Sequence, residues 1–104
     1  MKEDNNIMIG MAKRLAADAI NEAVGKTING LPDHLRQGAK RVIVYPEDMY
    51  IVWFSKTLQN WKALVSTDKI NSADPYGDYV EVTHNGDKGE TYCDVYRKVL
   101  NRVY

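Results

Sequence analysis

The side chains best suited to covalent or acid–base chemistry are one cysteine, Cys93, and two histidines, His34 and His84. Cys93 and His84 fall on two predicted strands that the Asn85-Gly86 turn would bring side by side, and a Cys–His nucleophile pair needs such proximity. No neighbouring residue is identified as the third group that would orient the histidine. Because a cysteine in a strand is more often a small buried apolar residue, we favour the structural role.

Metal ions and phosphate groups are not indicated by the spacing of the polar residues. The histidines are far apart in the sequence and the cysteine has no CxxC partner, so the ligand spacing of a zinc site is missing. The glycines of Asn85–Gly89 flank an acidic residue, Asp87, and a hairpin turn explains them better than a phosphate-binding loop. We therefore expect no metal, no cofactor and no catalytic residue, and we favour a protein that is not an enzyme.

Aromatic residues and lysines around a predicted sheet carry the strongest functional signal. The tyrosines and tryptophans are too numerous for the core of so small a domain: Tyr45, Tyr50, Trp53, Trp61, Tyr76, Tyr79, Tyr92, Tyr96 and Tyr104. Aromatic side chains with polar tips anchor protein interfaces, although tyrosines also cover strand edges with their hydroxyls in water. The candidate contacts with a protein partner are Trp53, Lys56, Gln59, Asn60, Trp61 and Lys62.

The charge balance argues against nucleic acid as the first choice of ligand. Fourteen basic residues against fourteen acidic ones give a net charge of zero, so the chain as a whole does not attract polyanions. A nucleotide or nucleic-acid binder would need a local basic patch beside aromatic side chains on which bases stack. The residues that would form this patch are Lys56, Lys62, Arg97 and Arg102.

Length and composition predict a single globular domain over residues 1–104. A hydrophobic content of 44% suffices for a core without metal or disulfide staples. The lone cysteine, the lack of a secretory-signal pattern and the shortness of apolar runs such as Met49–Phe54 predict a protein of the reducing cytoplasm without membrane contact. The oligomeric state stays open, with a homo-oligomer as one alternative.

The N-terminal pattern predicts a helix that lies flat across a sheet. Apolar residues recur at spacings of three and four from Ile7 to Val24, most of them alanines that allow close approach, and Gly25 would end the helix. The region from residue 26 to residue 41 is the least decidable, with a turn at Thr27–Gly30 and one or two helical turns at Pro32–Gln37. Val42–Tyr45 is β-branched and suits an edge strand.

The stretch Tyr50–Thr67 organises the rest of the chain and predicts a β-hairpin with Lys56–Asn60 as its loop. Strict alternation places Tyr50, Val52 and Phe54 on one face of the first strand and Ile51, Trp53 and Ser55 on the other. Because both faces are apolar, we expect this strand in the interior of the sheet. The second strand divides more clearly, with Trp61, Ala63 and Val65 against Lys62, Leu64 and Ser66.

A second hairpin is predicted around Asn85-Gly86, two residues that tolerate positive φ. Its first strand, Tyr79–His84, has Val80 and Val82 inward, and its second strand extends to Cys93. We expect a helix from Val95 to Arg102, although a helix that begins near Lys88 fits the same apolar spacing. The predicted fold is α+β: an N-terminal helix, an antiparallel sheet of about four strands built from two hairpins, and a C-terminal helix.

Three segments, Val52–Thr67, Tyr79–Glu90 and Asp94–Lys98, resemble a family of small proteins of unknown function encoded by bacteriophages and prophages of Gram-positive bacteria. The resemblance covers the C-terminal half, and its most specific string is KTLQNWKALxST at Lys56–Thr67. The resemblance implies a setting, the cytoplasm of an infected or lysogenic bacterial cell, and brings no catalytic residues with it.

These observations predict a non-catalytic binding module that engages a host bacterial protein, as a host-takeover or counter-defence factor. The alternative is a nucleotide or nucleic-acid binding protein that sequesters its ligand. A small hydrolase built on His84 or Cys93 ranks below both.

Overall fold

The computed structural model describes residues 2–36, 43–69 and 79–97, together with Leu100, Arg102 and Val103. The helices are α1 (Lys2–Asn29) and the short α2 (Asp33–Arg36), and a 3₁₀ turn spans Pro46–Asp48. The strands are β1 (Met49–Thr57), β2 (Asn60–Thr67), β3 (Tyr79–Asn85) and β4 (Glu90–Tyr96). They form one antiparallel sheet in the order β1-β2-β3-β4. The α+β class, the N-terminal helix and the sheet of two hairpins are thereby confirmed, as are helical turns after Pro32.

The helix α1 extends beyond its predicted span at both ends, because it begins at Lys2 and ends at Asn29. Gly25 does not end it, and the turn predicted at Thr27–Gly30 is wrong for all but the last residue. Burial of Val24 and Ile28, on either side of Gly25, explains the extension at the C-terminal end. Their contact with the core outweighs the roughly 1 kcal/mol that a glycine costs inside a helix.

The core lies between α1 and one face of the sheet, which we call the covered face; the reverse side is the open face. The helix contributes buried side chains at a spacing of four: Ala12, Ala16, Ile20, Val24 and Ile28. The sheet contributes Trp61, Ala63, Val65, Val80 and Val82. Small side chains along the helix let its backbone lie close to the strands, as the alanine-rich pattern predicts.

The segment Ile43–Tyr45 runs beside α1 and is not a strand, so the predicted edge strand is wrong for these residues, while Val42 lies outside the described part of the chain. The side chain of Asn21 donates from Nδ2 to the carbonyl oxygen of Val44 and accepts from its amide at Oδ1, both at 2.9 Å. These two bonds take up the backbone groups that a neighbouring strand would otherwise pair. The side chain of Val44 is buried beneath them.

The strand β4 contains the residues for which the sequence allowed either a strand or a helix. Glu90–Tyr96 pair with Tyr79–Asn85 in a regular antiparallel register. The predicted C-terminal helix is therefore wrong at Val95 and Tyr96, and no helix follows β4 among the residues that the structure describes. Pairing along the whole of β3, together with the packing of Val95 against the core, outweighs the apolar stripe of helical period.

The strand β1 lies at an edge of the sheet, so its predicted interior place is wrong. Of its residues only Met49 is buried, while Ile51 and Phe54 are half-buried. The apolar residues on its two sides serve two different surfaces, the core and the open face.

Candidate functional site

The open face carries an array of exposed aromatic side chains. Because directly paired residues in antiparallel strands project to the same side, the register defines which side chains share this face. Tyr50, Ser66, Tyr79 and Tyr96 form one row across the strands, followed by a row of Trp53, Leu64, Glu81 and Asp94 and a row of Ser55, Lys62, Thr83 and Tyr92. Its aromatic members are between 39% and 51% exposed: Tyr50, Trp53, Tyr79, Tyr92 and Tyr96.

A β-bulge at Val52 decides the face on which Trp53 lies. Ile51 pairs with Val65 and Trp53 pairs with Leu64, so Val52 has no partner of its own in β2. The extra residue shifts the alternation by one. The two predicted groups of β1 side chains are therefore wrong: Trp53 shares the open face with Tyr50, while Phe54 shares the covered face with Ile51.

Beside Trp53 the open face contains a cleft of about 330 Å³. Its lining combines an indole with hydroxyl, amide and ammonium groups: Trp53, Ser55, Thr57, Asn60, Lys62 and Thr83, with contributions from Trp61 and His84. The volume falls at the lower end of the range for small-molecule sites. The structure thus brings four of the predicted contacts together at one place: Trp53, Asn60, Trp61 and Lys62.

The basic and acidic groups of the open face lie on different strands, with Lys62 on β2 and the carboxylates on β3 and β4. The Nζ atom of Lys62 lies 3.5 Å from a carboxylate oxygen of Glu81, so this lysine already has an acidic neighbour. Glu81 is also directly opposite Asp94 on β4, and like charges in that position repel. At the far end of β4, Glu90 accepts a hydrogen bond from the hydroxyl of Tyr92. The side formed by β3 and β4 is therefore acidic and rich in tyrosine.

Trp61 is buried, with only 4% of its surface exposed, and the expectation of an exposed contact is wrong for this residue. Its ring stacks on His84 at a centroid distance of 5.5 Å and meets Phe54 at 5.9 Å. Nδ1 of His84 lies 2.8 Å from Oγ1 of Thr91, so the imidazole is held between the indole and a hydroxyl. These contacts explain His84 as a packing residue at the end of the core.

The two hairpin turns pack against each other at one end of the sheet. Gln59 donates from its side-chain amide to Asp87, and the amide of Gly86 donates to Oδ1 of Asn60 at 2.8 Å. A Cβ atom on Gly86 would overlap the backbone and side chain of Gln59, so glycine is required there by the close approach. The structure therefore assigns Gln59 and Asn60 a structural role in addition to their predicted place in a binding site.

The turn conformations differ from those predicted. The β1–β2 loop contains only Leu58 and Gln59, because Lys56 and Asn60 belong to strands. Leu58 has a φ of 56° and is 80% exposed, an arrangement that glycine would adopt more readily. In the second hairpin the positive φ, 65°, falls on Gly89 rather than on the predicted Asn85-Gly86 pair.

The predicted basic patch does not come together in the part of the chain that the structure describes. Lys56 belongs to the covered side of β1 near the hairpin turns, whereas Arg97 follows β4 at the other end of the sheet. Seven residues along β4 separate that end from the turns, or about 23 Å at roughly 3.3 Å per residue. Lys62 lies on the open face and Arg102 is exposed beyond β4.

The thiol of Cys93 is less acidic than an ordinary cysteine. Burial raises its pKa, and the negative charges of Asp94 and Asp18 raise it further. A nucleophilic cysteine needs the opposite shift, because the thiolate is the reactive form. Within the described ranges no group of three or more histidine, cysteine, aspartate or glutamate side chains is placed to hold a metal ion.

Comparison with known protein families gives a match over residues 11–104, to the Family of unknown function (DUF6275). The chain belongs to this family. The match extends well beyond the C-terminal half in which the sequence resemblance was found. No curated protein and no solved structure matches the chain.

A family of unknown function brings no site residues to this chain. The sequence missed Ser55, Thr57 and Thr83 as cleft residues. Ser55 and Thr57 follow Trp53 at alternate positions of β1, so alternation could have indicated them. Thr83 lies at the cleft only because the register between β2 and β3 pairs it with Lys62. Neither described helix combines the length and the apolar composition that a membrane-spanning segment requires.

Proposed function

We propose that the protein is a non-catalytic binding module that engages another protein through its open face. The observation that carries the proposal is the position of Trp53. The bulge at Val52 directs this side chain away from the core, and it stays 42% exposed beside the cleft. Tryptophan at a concave place on a surface is the residue type most often found at the energetic centre of a protein interface.

The surroundings of Trp53 support a protein partner. Leu64 lies directly opposite it on β2, and four tyrosines extend the apolar surface across the sheet: Tyr50, Tyr79, Tyr92 and Tyr96. Lys62 and Glu81 supply charges within this surface. Enrichment in aromatic side chains distinguishes interfaces from other protein surface, and a polar rim around them is usual.

The setting of this function belongs to the same proposal. The sequence resemblance suggests a bacteriophage or prophage protein in the cytoplasm of a Gram-positive host, and we propose a host protein as the partner. A host-takeover or counter-defence role follows from that setting by analogy alone.

The proposal is tested by capture of partners from a Gram-positive host lysate with the wild-type chain and with Trp53→Ala as bait. A partner that engages the open face should be retained by the wild type and lost with Trp53→Ala, because a truncated hot-spot tryptophan typically costs about 2 kcal/mol or more. Lys62→Glu should weaken the same partner, since it reverses the charge at the cleft.

The matched control is Tyr45→Ala, which removes an aromatic side chain that is 54% exposed but lies outside the sheet. This variant should capture the same partner as the wild type. Retention of every partner by Trp53→Ala at wild-type yield would contradict the proposal. Trp61→Ala is unsuitable as a bait because Trp61 is part of the core.

A nucleotide-sequestering function remains the second candidate, and the cleft is the observation that favours it. The indole of Trp53 offers a stacking surface, and the hydroxyls of Ser55 and Thr83 offer hydrogen bonds within the same cleft. Titration with mono- and cyclic nucleotides should then quench the fluorescence of Trp53. A Trp53→Phe variant, which leaves Trp61 as the remaining tryptophan, provides the control. No quenching across the millimolar range would dispose of this candidate.

A further inference from the structure

The strand β4 is an edge strand that lacks several of the features which usually protect an edge. Its register with β3 runs from Glu90 to Tyr96 without a bulge, and its residues include no proline and no lysine. The opposite edge, β1, has both a bulge at Val52 and a lysine, Lys56. Within the residues that the structure describes, β4 pairs with β3 alone, so a further strand can bond to its outer side.

We infer that two copies of the chain form a dimer through antiparallel pairing of their β4 strands, with Cys93 opposite Cys93 of the second copy. Because Cys93 is the middle residue of β4, this is the register in which every residue of the strand finds a partner. The result is one continuous sheet with twice the four strands of the single chain. The pairing is isologous, as expected for a two-fold dimer.

The order of side chains along β4 makes this register self-complementary. A two-fold axis at Cys93 places Tyr92 opposite Asp94 of the second copy and Glu90 opposite Tyr96. Each carboxylate then faces a neutral tyrosine and not another carboxylate. A shift of the axis to Tyr92 would place Glu90 opposite Asp94, and a shift to Asp94 would place that residue opposite itself. Both alternatives bring carboxylates together, which destabilises a strand pair.

The covered side of the same edge has room for the second copy. A cleft of about 340 Å³ lies between α1 and β4, lined by Ala19, Glu22, Ala23, Lys26, Cys93 and Val95. A two-fold axis perpendicular to the sheet sets the two α1 helices on the same side, and the alanines allow them to approach. Glu22 and Lys26 lie one helical turn apart, with Nζ of Lys26 3.3 Å from a carboxylate oxygen of Glu22. When the two helices run antiparallel, Glu22 of each copy can face Lys26 of the other.

This inference goes beyond the proposed function, because the dimer forms whether or not the open face binds a partner. If both hold, the dimer presents two open faces on one continuous sheet surface. A protein partner that carries two copies of its binding site would then bind the dimer with higher affinity than it binds a single open face, because its second contact is intramolecular.

The inference is tested by sedimentation equilibrium of the wild-type chain and of two matched variants, Tyr92→Asp and Tyr50→Asp. Both replace an open-face tyrosine on an edge strand, and the two tyrosines are 47% and 44% exposed. We expect the wild type to reach twice its chain mass of 11.9 kDa. Tyr92→Asp brings a carboxylate opposite Asp94 of the second copy at two places and should weaken the dimer by about tenfold or more.

Tyr50→Asp should dimerise like the wild type, because β1 lies at the other edge. A monomer at every concentration across the micromolar range would overturn the inference. So would a dimer that Tyr92→Asp leaves intact, or one that Tyr50→Asp weakens equally. Circular dichroism of each variant confirms that it is folded before its mass is compared.

Oxidation tests the register itself. Directly opposed residues of antiparallel strands form hydrogen-bonded or non-hydrogen-bonded pairs, and in both their Cα atoms lie about 4.5–5.5 Å apart. A disulfide can span this distance. Treatment with diamide at alkaline pH should join two chains through Cys93, as the two thiols lose their protons and two electrons and the diazene is reduced to the hydrazine. Cys93→Ser should give no covalent dimer. A wild-type dimer whose cysteines fail to cross-link under conditions that oxidise the unfolded chain would overturn this register.

Discussion

The covered and open faces are built from the same four strands but from different kinds of residue. On the covered face Ala63, Val65, Val80 and Val82 have no exposed surface, and the residues are small and aliphatic. On the open face the aromatic side chains keep about two fifths or more of their surface in water, as Trp53 does at 42%. The difference teaches that apolar residues in these strands serve two surfaces, and that the small aliphatic residues indicate the core more reliably than the aromatic ones, of which Trp61 is buried and Trp53 is not.

The two tryptophans show the same difference between two positions that are close in sequence. Trp61 is 4% exposed and contacts rings on two neighbouring strands, whereas Trp53 is 42% exposed and lies beside the open cleft. One stabilises the fold, and the other is free to contact a partner.

Substitution of each tryptophan is the strongest test of this comparison. Trp61→Ala should lower the free energy of unfolding by about 3–5 kcal/mol, because it removes a buried aromatic side chain and leaves a cavity. Trp53→Ala should lower it by only about 1 kcal/mol, since much of the side chain is already in water. Urea unfolding followed by circular dichroism measures both values. Equal losses would show that the two faces do not differ as the structure indicates.

A second test concerns the contact that closes the covered side. Asn21→Ala removes both hydrogen bonds to Val44 and should cost about 1–3 kcal/mol, because the freed backbone groups are next to a buried side chain. Hydrogen exchange at the amide of Val44 should accelerate at the same time.

The control is Glu22→Ala at the next position of α1, where an exposed ion pair with Lys26 is lost. This change should stay within about 0.5 kcal/mol. Because alanine raises helix propensity at both positions, a loss as large as that of Asn21→Ala would mean that the bonds to Val44 do not explain the effect.

The open face should tolerate substitution and in one place should gain from it. Asp94→Asn removes the like charge opposite Glu81 and should stabilise the chain by about 0.2–1 kcal/mol at a concentration where it is monomeric. The gain should shrink at high salt, because both side chains are near water. Glu90→Gln is the matched control, since its carboxylate accepts a hydrogen bond from Tyr92 and should give no gain.

The smallest effect is expected at Cys93, at the rim of the covered face. The pKa of Cys93 is higher in the folded chain than in the unfolded chain, so folding favours the neutral thiol. The neutral thiol therefore stabilises the fold at a pH below the unfolded-state pKa, and this contribution is lost as the pH rises through the folded-state pKa. Alkylation by iodoacetamide should therefore be slower in the folded chain than in urea at the same pH. Asp18→Asn should accelerate it by removing one of the nearby charges.

Much of the fold is predictable from local patterns, and the exceptions have physical causes. The helical period of α1 and the alternation in β2 and β3 match the structure because each element has one clearly apolar side. The end of α1 is not predictable from Gly25, since the burial of Ile28 is a tertiary effect. The strand β4 is ambiguous because Tyr92, Val95 and Tyr96 fit a helical stripe equally well, and only pairing with β3 distinguishes the two.

The candidate site is predictable in composition and not in arrangement. Trp53 and Lys62 are recognisable as an aromatic and a cation near a hairpin. Their shared face depends on the bulge at Val52, and a β-branched residue at that position gives no sign of a bulge in the sequence. The burial of Trp61 depends in the same way on His84, which is more than twenty residues away and reaches it through the register of β2 and β3.

The close approach of Gly86 to Gln59 has a consequence for how this family can vary. Because the two hairpin turns are fitted to each other, an insertion in one of them displaces the other, and their lengths must change together or not at all. Relatives should therefore keep both turns short, and a peptide tag inserted into either turn should destabilise the chain.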